Sequence, residues 1–331
     1  MREILIAGLG SIGRRHLANL RSLGWQRIRG YRTGLSTLPD LGLEAADVDT
    51  DLAAALRRRP LAVIVSNPSA CHVRVALEAA RAGAHLLIEK PLSHDVGGVD
   101  ELERVIDSSR LTALVGFQFR FHPGLRQLRD WITTGALGAV VSAHAHWGEY
   151  LPDMHPWEDY RTGYAARPEL GGGVLLTLCH PFDYLAWLIG DIARVAAVAS
   201  DRDTLGLQVE TSVDAVLQFR CGAAGHVHLD FVQRPPDHHI RVIGTEGTAT
   251  WTQSDQTARL YAGSPGRQTT TTEPAGGFER NTMFLEEMRH FLACLRGEEE
   301  PSCTVRDGRR ALEAVLAVKQ SITQAGAQVY V

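Results

Sequence analysis

The chain carries no strong excess of charge of either sign. Its 331 residues hold 34 Lys and Arg against 38 Asp and Glu, a formal net charge of −4. That balance gives no electrostatic case for nucleic acid or an anionic membrane surface as a partner. No run approaches the roughly 18 uninterrupted apolar residues a membrane span needs. The start, MREILIAGLG, goes straight into a strand pattern and lacks the apolar core and cleavage site of a signal peptide. Cysteine is sparse: five residues, at 71, 179, 221, 294 and 303, with no CxxC. They read as reduced thiols and predict a cytoplasmic protein. Internal repeats and long low-complexity tracts are also lacking.

What is present is a globular balance, 44% apolar and 22% charged. The chain is too long for one ordinary core, so two domains are expected, 1–120 and 121–331. In the first, short continuous apolar runs at 3–8, 27–32, 62–66, 84–89 and 112–117 read as strands buried on both faces. Helical patterns lie between them at 11–23, 50–58, 70–82 and 95–108. Strict alternation predicts an α/β domain with a doubly wound parallel sheet of Rossmann type. Beyond it come a helix at 123–134, a strand at 139–150 and an irregular stretch at 151–170. An apolar helix follows within 171–190, then alternating strands from 193 to 262, a polar loop at 263–277 and closing helices at 279–296 and 306–323. Strands in series predict an α+β domain on an open, mostly antiparallel sheet.

The stretch IAGLGSIGRRH places Gly8, Gly10 and Gly13 in a GxGxxG frame after a strand and at the opening of a helix. Gly8 allows the tight turn, Gly10 the approach of a pyrophosphate, and Gly13 the packing of helix on strand. The amides of Ser11 and Ile12 would face the phosphates, with the helix dipole behind them. An NAD site wants an acid at the end of the second strand, yet no acid appears before Asp40. Arg32 suits a 2′-phosphate and Thr33 adds a hydroxyl, which favours NADP(H), with NAD(H) the alternative.

Ligands bind at the carboxyl ends of such strands. Ser66, Asn67, Pro68 and His72 follow one strand, Glu89 and Lys90 end the next, and Gln118 follows the fifth. All are candidates for cofactor contact. A strand tip that merely turns prefers Gly, Asn or Asp, so a lysine between an acid and a proline reads as aimed at a ligand.

The chain resembles the glucose–fructose oxidoreductase / inositol dehydrogenase (Gfo/Idh/MocA) family over nearly its whole length. The resemblance rests on GLGSIG at 8–13, SNPSACH at 66–72, EKPLS at 89–93, VGFQFRFHP at 115–123, ELGGGVLLTLCHPFDYLAWLIG at 169–190 and IRVIGTEGTATW at 240–251. It implies a nicotinamide-binding domain followed by an open-faced domain that covers the substrate and mediates homo-dimers or homo-tetramers. The implied reaction is reversible oxidation of a secondary alcohol on a sugar or cyclitol. The family's EKP lysine falls on Lys90, where an ammonium stabilises alkoxide character as hydride leaves carbon. Its histidine falls on His180, suited to proton transfer near neutral pH.

One departure stands out. The family carries an Asp one turn before this histidine; here the position holds Thr177, and Asp183 matches a later acid. Thr177, His180 and Asp183 at three-residue spacing share a helix face. Pro181 inside that helix would cost about 3 kcal/mol, predicting a loosened turn at 177–181 that exposes His180. For substrate contact, Arg120, His122, Tyr160, Arg161 and Tyr164 join Thr177 and Asp183 as candidates. Histidine pairs at 144/146 and 226/228 share strand faces, but no carboxylate or Cys spacing supports them as ligands, so no metal is expected. The reading is an NAD(P)-dependent oxidoreductase of a sugar or cyclitol. The alternatives are a reductase of another carbonyl or imine, and a non-catalytic dinucleotide-sensing protein.

Overall fold

The computed structural model describes residues 2–33, 47–202, 204–263, 268–274 and 276–331; Asp40 lies outside them. In chain order the elements are β1 (Ile4–Ala7), α1 (Ser11–Ser22), β2 (Ile28–Tyr31), β3 (Val48–Asp49), α2 (Leu52–Arg57), β4 (Ala62–Val65), α3 (His72–Arg81), β5 (His85–Glu89), α4 (Val99–Ser109) and β6 (Ala113–Gly116). Then come α5 (Pro123–Thr133), β7 (Val140–Gly148), α6 (Leu151–Met154), α7 (Val174–Thr177), α8 (His180–Ile189), β8 (Ile192–Ala199), β9 (Ser212–Phe219), β10 (Ala224–Asp230) and β11 (Asp237–Gly244). The chain closes with β12 (Gly247–Thr252), β13 (Ala258–Ala262), β14 (Gln268–Thr272), α9 (Arg280–Leu295), α10 (Val305–Thr323) and β15 (Val329–Tyr330).

The chain forms two compact units, Met1–Gln118 with Glu279–Arg309, and Phe119–Phe278 with Arg310–Val331. In the first, six strands run in the order β3-β2-β1-β4-β5-β6. Every pairing is parallel, the order of a Rossmann sheet. β1 and β4 are buried throughout, as continuous Ile/Val/Ala runs require. The reversal of strand order between β1 and β4 opens the crevice in which such sheets bind ligands.

This packing differs from the expected cut at 120/121 in two respects, the first being that the first unit's opening segment ends at Gln118. The second is that the segment Glu279–Arg309 returns to the first unit. Asn281 on α9 hydrogen-bonds Asn19 on α1 at 2.9 Å, and Val115 of β6 donates its N–H to the Cys303 carbonyl at 2.9 Å. Nothing local in the sequence marks such a return.

The second unit is built on nine strands in the order β14-β13-β12-β11-β7-β10-β9-β8-β15. All pairs are antiparallel except β7 with β10. Alternation is strict: Ala143, Ala145, Trp147, Val227 and Leu229 turn inward and are buried, while His144, His146, His226 and His228 face outward.

Two expectations for this unit are corrected. The polar loop at 263–277 contains β14, paired antiparallel with β13; its threonines are β-branched and take a strand despite their polarity. The apolar helix within 171–190 is two helices, since α7 ends at Thr177 and α8 starts at His180. A 49° bend separates α8 from the helical segment Pro168–Thr177. Pro181 falls in the first turn of α8, where its missing N–H has no helical partner to lose, so the interior penalty is not incurred. No single helix among the described residues is long and apolar enough to cross a membrane.

Candidate functional site

At the carboxyl edge of the first sheet, the three loop glycines do three different jobs. Gly8 has φ +107°, and a Cβ on it would meet the Asn67 backbone nitrogen at 2.5 Å. A Cβ on Gly13 would lie 1.9 Å from the Gly8 carbonyl oxygen. Gly10 faces open space, with nothing within 4 Å of that position. It caps the N-terminus of α1 and offers no side chain of its own to the first-turn amides. Ser66 ties the neighbouring strand end in, its hydroxyl donating to the Gly8 carbonyl at 2.9 Å.

Two buried acceptors at this edge, Asn67 Oδ1 and Gln118 Oε1, have no hydrogen-bond partner among the described residues. Such an orphan costs about 1–3 kcal/mol. The hydroxyl and amide donors of a dinucleotide would satisfy both, so these residues fit a nicotinamide cofactor. Arg32 follows β2, its backbone N–H donating to the Asp49 carbonyl at 3.1 Å; Thr33 beside it is exposed. The Asp49 carboxylate is taken by Arg29 at 3.2 Å and Arg58 at 3.5 Å.

Lys90 stands half-buried at the tip of β5. Glu89 beneath it is buried, with Oε1 2.7 Å from His16 Nε2 and Oε2 accepting the Lys90 backbone N–H at 3.2 Å. Burial opposes ionisation of Glu89, but the His16 hydrogen bond and the His16 and Lys90 charges outweigh it and hold the carboxyl below its ordinary pKa. Glu287 on α9 is wholly buried, with neither carboxyl oxygen hydrogen-bonded among the described residues. Burial, then the Glu89 charge, pushes its pKa well up. His72 is buried with Nδ1 2.8 Å from the Pro91 carbonyl and Nε2 2.7 Å from the Asn67 carbonyl. Burial lowers its pKa. It pins two strand-end loops together, with neither ring nitrogen turned to a ligand.

In the second unit His180 opens α8 and is 1% exposed, which overturns the expected exposure. Its ring lies edge-on to Phe119 at 4.9 Å and stacks with Trp147 at 5.4 Å. Thr177 ends α7 and is also buried. The interruption at Leu178 and Cys179 breaks the shared stripe expected for Thr177, His180 and Asp183. Asp183 is held by Arg120, with Nη2 to Oδ1 at 2.6 Å and Nε to both oxygens at 3.1 Å. Both side chains are buried, so an ion pair internal to the unit occupies two groups expected at the substrate.

His122 caps α5, its Nδ1 accepting from the Gly124 N–H at 3.0 Å. Burial drops its pKa to about 4. Tyr160 donates to the Leu205 carbonyl at 3.1 Å, Arg161 lies 4.6 Å over the Tyr160 ring, and Tyr164 sits half-buried in a short 3₁₀ turn. Sequence reasoning missed His16, Glu287 and His238. His238 is buried, with Nδ1 2.9 Å from Gln253 Oε1 and Nε2 3.3 Å from the Tyr184 hydroxyl. Burial lowers its pKa to about 3. The signal for His16 was its place one turn beyond Gly13 on the buried face of α1.

Comparison with known proteins bears on both units. Residues 2–117 match the model of the oxidoreductase family with an NAD-binding Rossmann fold, and residues 125–250 match the GFO/IDH/MocA C-terminal domain. The chain is 29% identical over 266 residues to 1,5-anhydro-D-fructose reductase of Ensifer adhaerens, covering 78% of this chain and 76% of that one. It is 27% identical over 269 residues to D-xylose 1-dehydrogenase (NADP(+)) 2 of Haloferax volcanii, covering 78% and 77%. Its fold resembles that of levoglucosan dehydrogenase in complex with NADH, with TM-score 0.87 and 19% identity over 100% of this chain and 99% of the other.

Proposed function

The chain belongs to the Gfo/Idh/MocA family of nicotinamide-dependent oxidoreductases, and from that premise we propose that it moves hydride between a nicotinamide and a secondary alcohol or ketone of a sugar or cyclitol. The observation that carries this reading is Lys90 at the tip of β5, braced from below by Glu89 and His16. The bound nicotinamide supplies or accepts the hydride. Lys90 polarises the substrate oxygen and stabilises its alkoxide character. His180 holds and moves the hydroxyl proton. The α1 amides and Gly10 hold the pyrophosphate, and Ser66, Asn67 and Gln118 hold the ribose and carboxamide ends.

Arg32 supports NADP(H) as the cofactor, because a guanidinium pairs with a 2′-phosphate and repels nothing there. Both named relatives act on sugar derivatives, which supports that substrate class. A reducing, cytoplasmic setting is supported by five scattered cysteines with no CxxC spacing. Assembly as a homo-dimer or homo-tetramer is supported by Val198 and Val216, both exposed on the outward face of the second sheet; light scattering of the purified protein tests it. Turnover of a panel of sugars and inositols with NADP(H) and NAD(H) tests the reaction. Turnover confined to non-sugar carbonyls would overturn the substrate class. Arg32→Ala should raise the Kd for NADPH on the order of tenfold or more and leave that for NADH within about twofold; equal losses would overturn the NADP(H) preference.

A further inference from the structure

Parallel pairing of β7 and β10 sets His146 directly beside His228 on the outward face of the nine-stranded sheet. Asp230, two residues on, shares that face. One ring nitrogen of each histidine and one carboxylate oxygen of Asp230 lie within 4.8 Å of one another. None of the three belongs to the groups assigned to hydride or proton transfer.

The surroundings orient the three donors. His228 Nδ1 is 2.9 Å from Asp214 Oδ1, which fixes that nitrogen as the N–H donor, and Nε2 faces Asp230 Oδ2 at 3.1 Å. A metal-binding imidazole is oriented in this way, with its other nitrogen donating to a carboxylate. Asp230 Oδ1 accepts the backbone N–H groups of Val232 at 2.8 Å and Gln233 at 2.6 Å, leaving Oδ2 for the cluster. The His146 ring stacks between His228, 4.8 Å away, and His239, 5.1 Å away, and its Nε2 lies 2.7 Å from Gln233 Oε1. Gly148 leaves room beneath: a Cβ there would stand 2.1 Å from Gln233 Oε1 and 2.4 Å from Asp230 Oδ2. His146 on β7 and His228 with Asp230 on β10 are held on paired strands, and the site is half-buried rather than fully solvated.

We propose that His146, His228 and Asp230 form a binding site for a divalent first-row transition-metal ion, of the chemistry shared by Zn²⁺ and Co²⁺. Two imidazoles and one carboxylate suit these ions, whereas Ca²⁺ and Mg²⁺ require oxygen-rich shells. Tetrahedral coordination with bonds of about 2.0–2.2 Å needs only side-chain closure from the separations present. The ion replaces the proton shared by His228 Nε2 and Asp230 Oδ2, and remaining positions are open to water. The sequence alone argued against a metal for want of a supporting carboxylate or Cys spacing; Asp230 stands two residues past His228 on the same strand, and the β7–β10 register brings His146 beside them.

The test uses untagged protein stripped with EDTA. Co²⁺ titration followed by visible d–d absorption, and Zn²⁺ titration followed by calorimetry, should each give one saturable site per chain. His146→Asn, His228→Asn and Asp230→Asn, each shown folded by circular dichroism, should weaken binding on the order of 100-fold or more. Asp214→Asn, which removes only the orienting carboxylate, should weaken it about tenfold. His226→Asn, on the adjacent pair of the same face, should leave it within about twofold. Absence of saturable binding overturns the site. So does binding unchanged in the three ligand variants, or lost equally in His226→Asn.

Discussion

His16 Nε2 lies 2.7 Å from Glu89 Oε1, joining the first helix to the end of the fifth strand across 73 residues of sequence. The same carboxylate accepts the backbone N–H of Lys90. Removing His16 leaves a buried acid without its donor, and the Lys90 tip loses its brace. His16→Ala should lower kcat about ten- to a hundredfold while cofactor Kd changes only a few-fold. His16→Gln, which can return an N–H to Glu89, should recover part of the loss. Equal activity in His16→Ala and wild type would separate this pair from catalysis.

Gly10 and Gly13 make opposite predictions from adjacent turns. Alanine at 13 drives a Cβ to 1.9 Å from a backbone oxygen, so Gly13→Ala should lose about 1–3 kcal/mol or more in denaturant unfolding. Alanine at 10 meets nothing within 4 Å among the described residues. Gly10→Ala should fold with unchanged stability and bind dinucleotide more weakly, read by fluorescence titration.

The buried Arg120–Asp183 pair separates a structural role from a substrate role. Breaking it with Asp183→Asn or Arg120→Met should cost about 3–5 kcal/mol, because each removes one partner of a buried ion pair. The double variant Arg120→Met with Asp183→Leu should be more stable than either single one. Loss of stability in neither single variant, with KM raised in Arg120→Met, would return Arg120 to the substrate.

Acid titration has a definite sign at His122. Its folded pKa is lowered by burial to about 4, against about 6.5 unfolded. As pH falls through that window the unfolded chain takes up a proton that the folded ring refuses, so stability is full above about 6.5 and falls toward 4. His122→Asn retains an N-cap and should flatten that slope by one proton. Glu287 acts on the other side. Its folded pKa is raised, so stability falls as pH rises above the unfolded value of about 4.3. Glu287→Gln should therefore be more stable than wild type at pH 8 and nearly equal at pH 4, read by urea unfolding.

The parallel sheet was legible because Ile4–Ala7 and Ala62–Val65 are continuous apolar runs between amphipathic helices. The glycine loop was legible because Gly8 and Gly13 each have a local steric reason. The apolar run His85–Glu89 also placed Lys90 just past the end of a strand. What the sequence could not show was pairing at long range. Arg120 meets Asp183, His16 meets Glu89, and α9 returns to α1, each set by tertiary packing rather than by spacing. Pro181 marked the break before α8 correctly, yet His180 stays buried because Phe119 and Trp147, distant in sequence, close over it.

Lys90→Ala is the most direct test of the hydride-transfer reading. With a sugar that the wild type turns over and saturating cofactor, the expected result is a fall in kcat on the order of a thousandfold or more, with cofactor Kd within a few-fold. Turnover within about twofold of wild type, in protein shown to be folded and cofactor-bound, would contradict it.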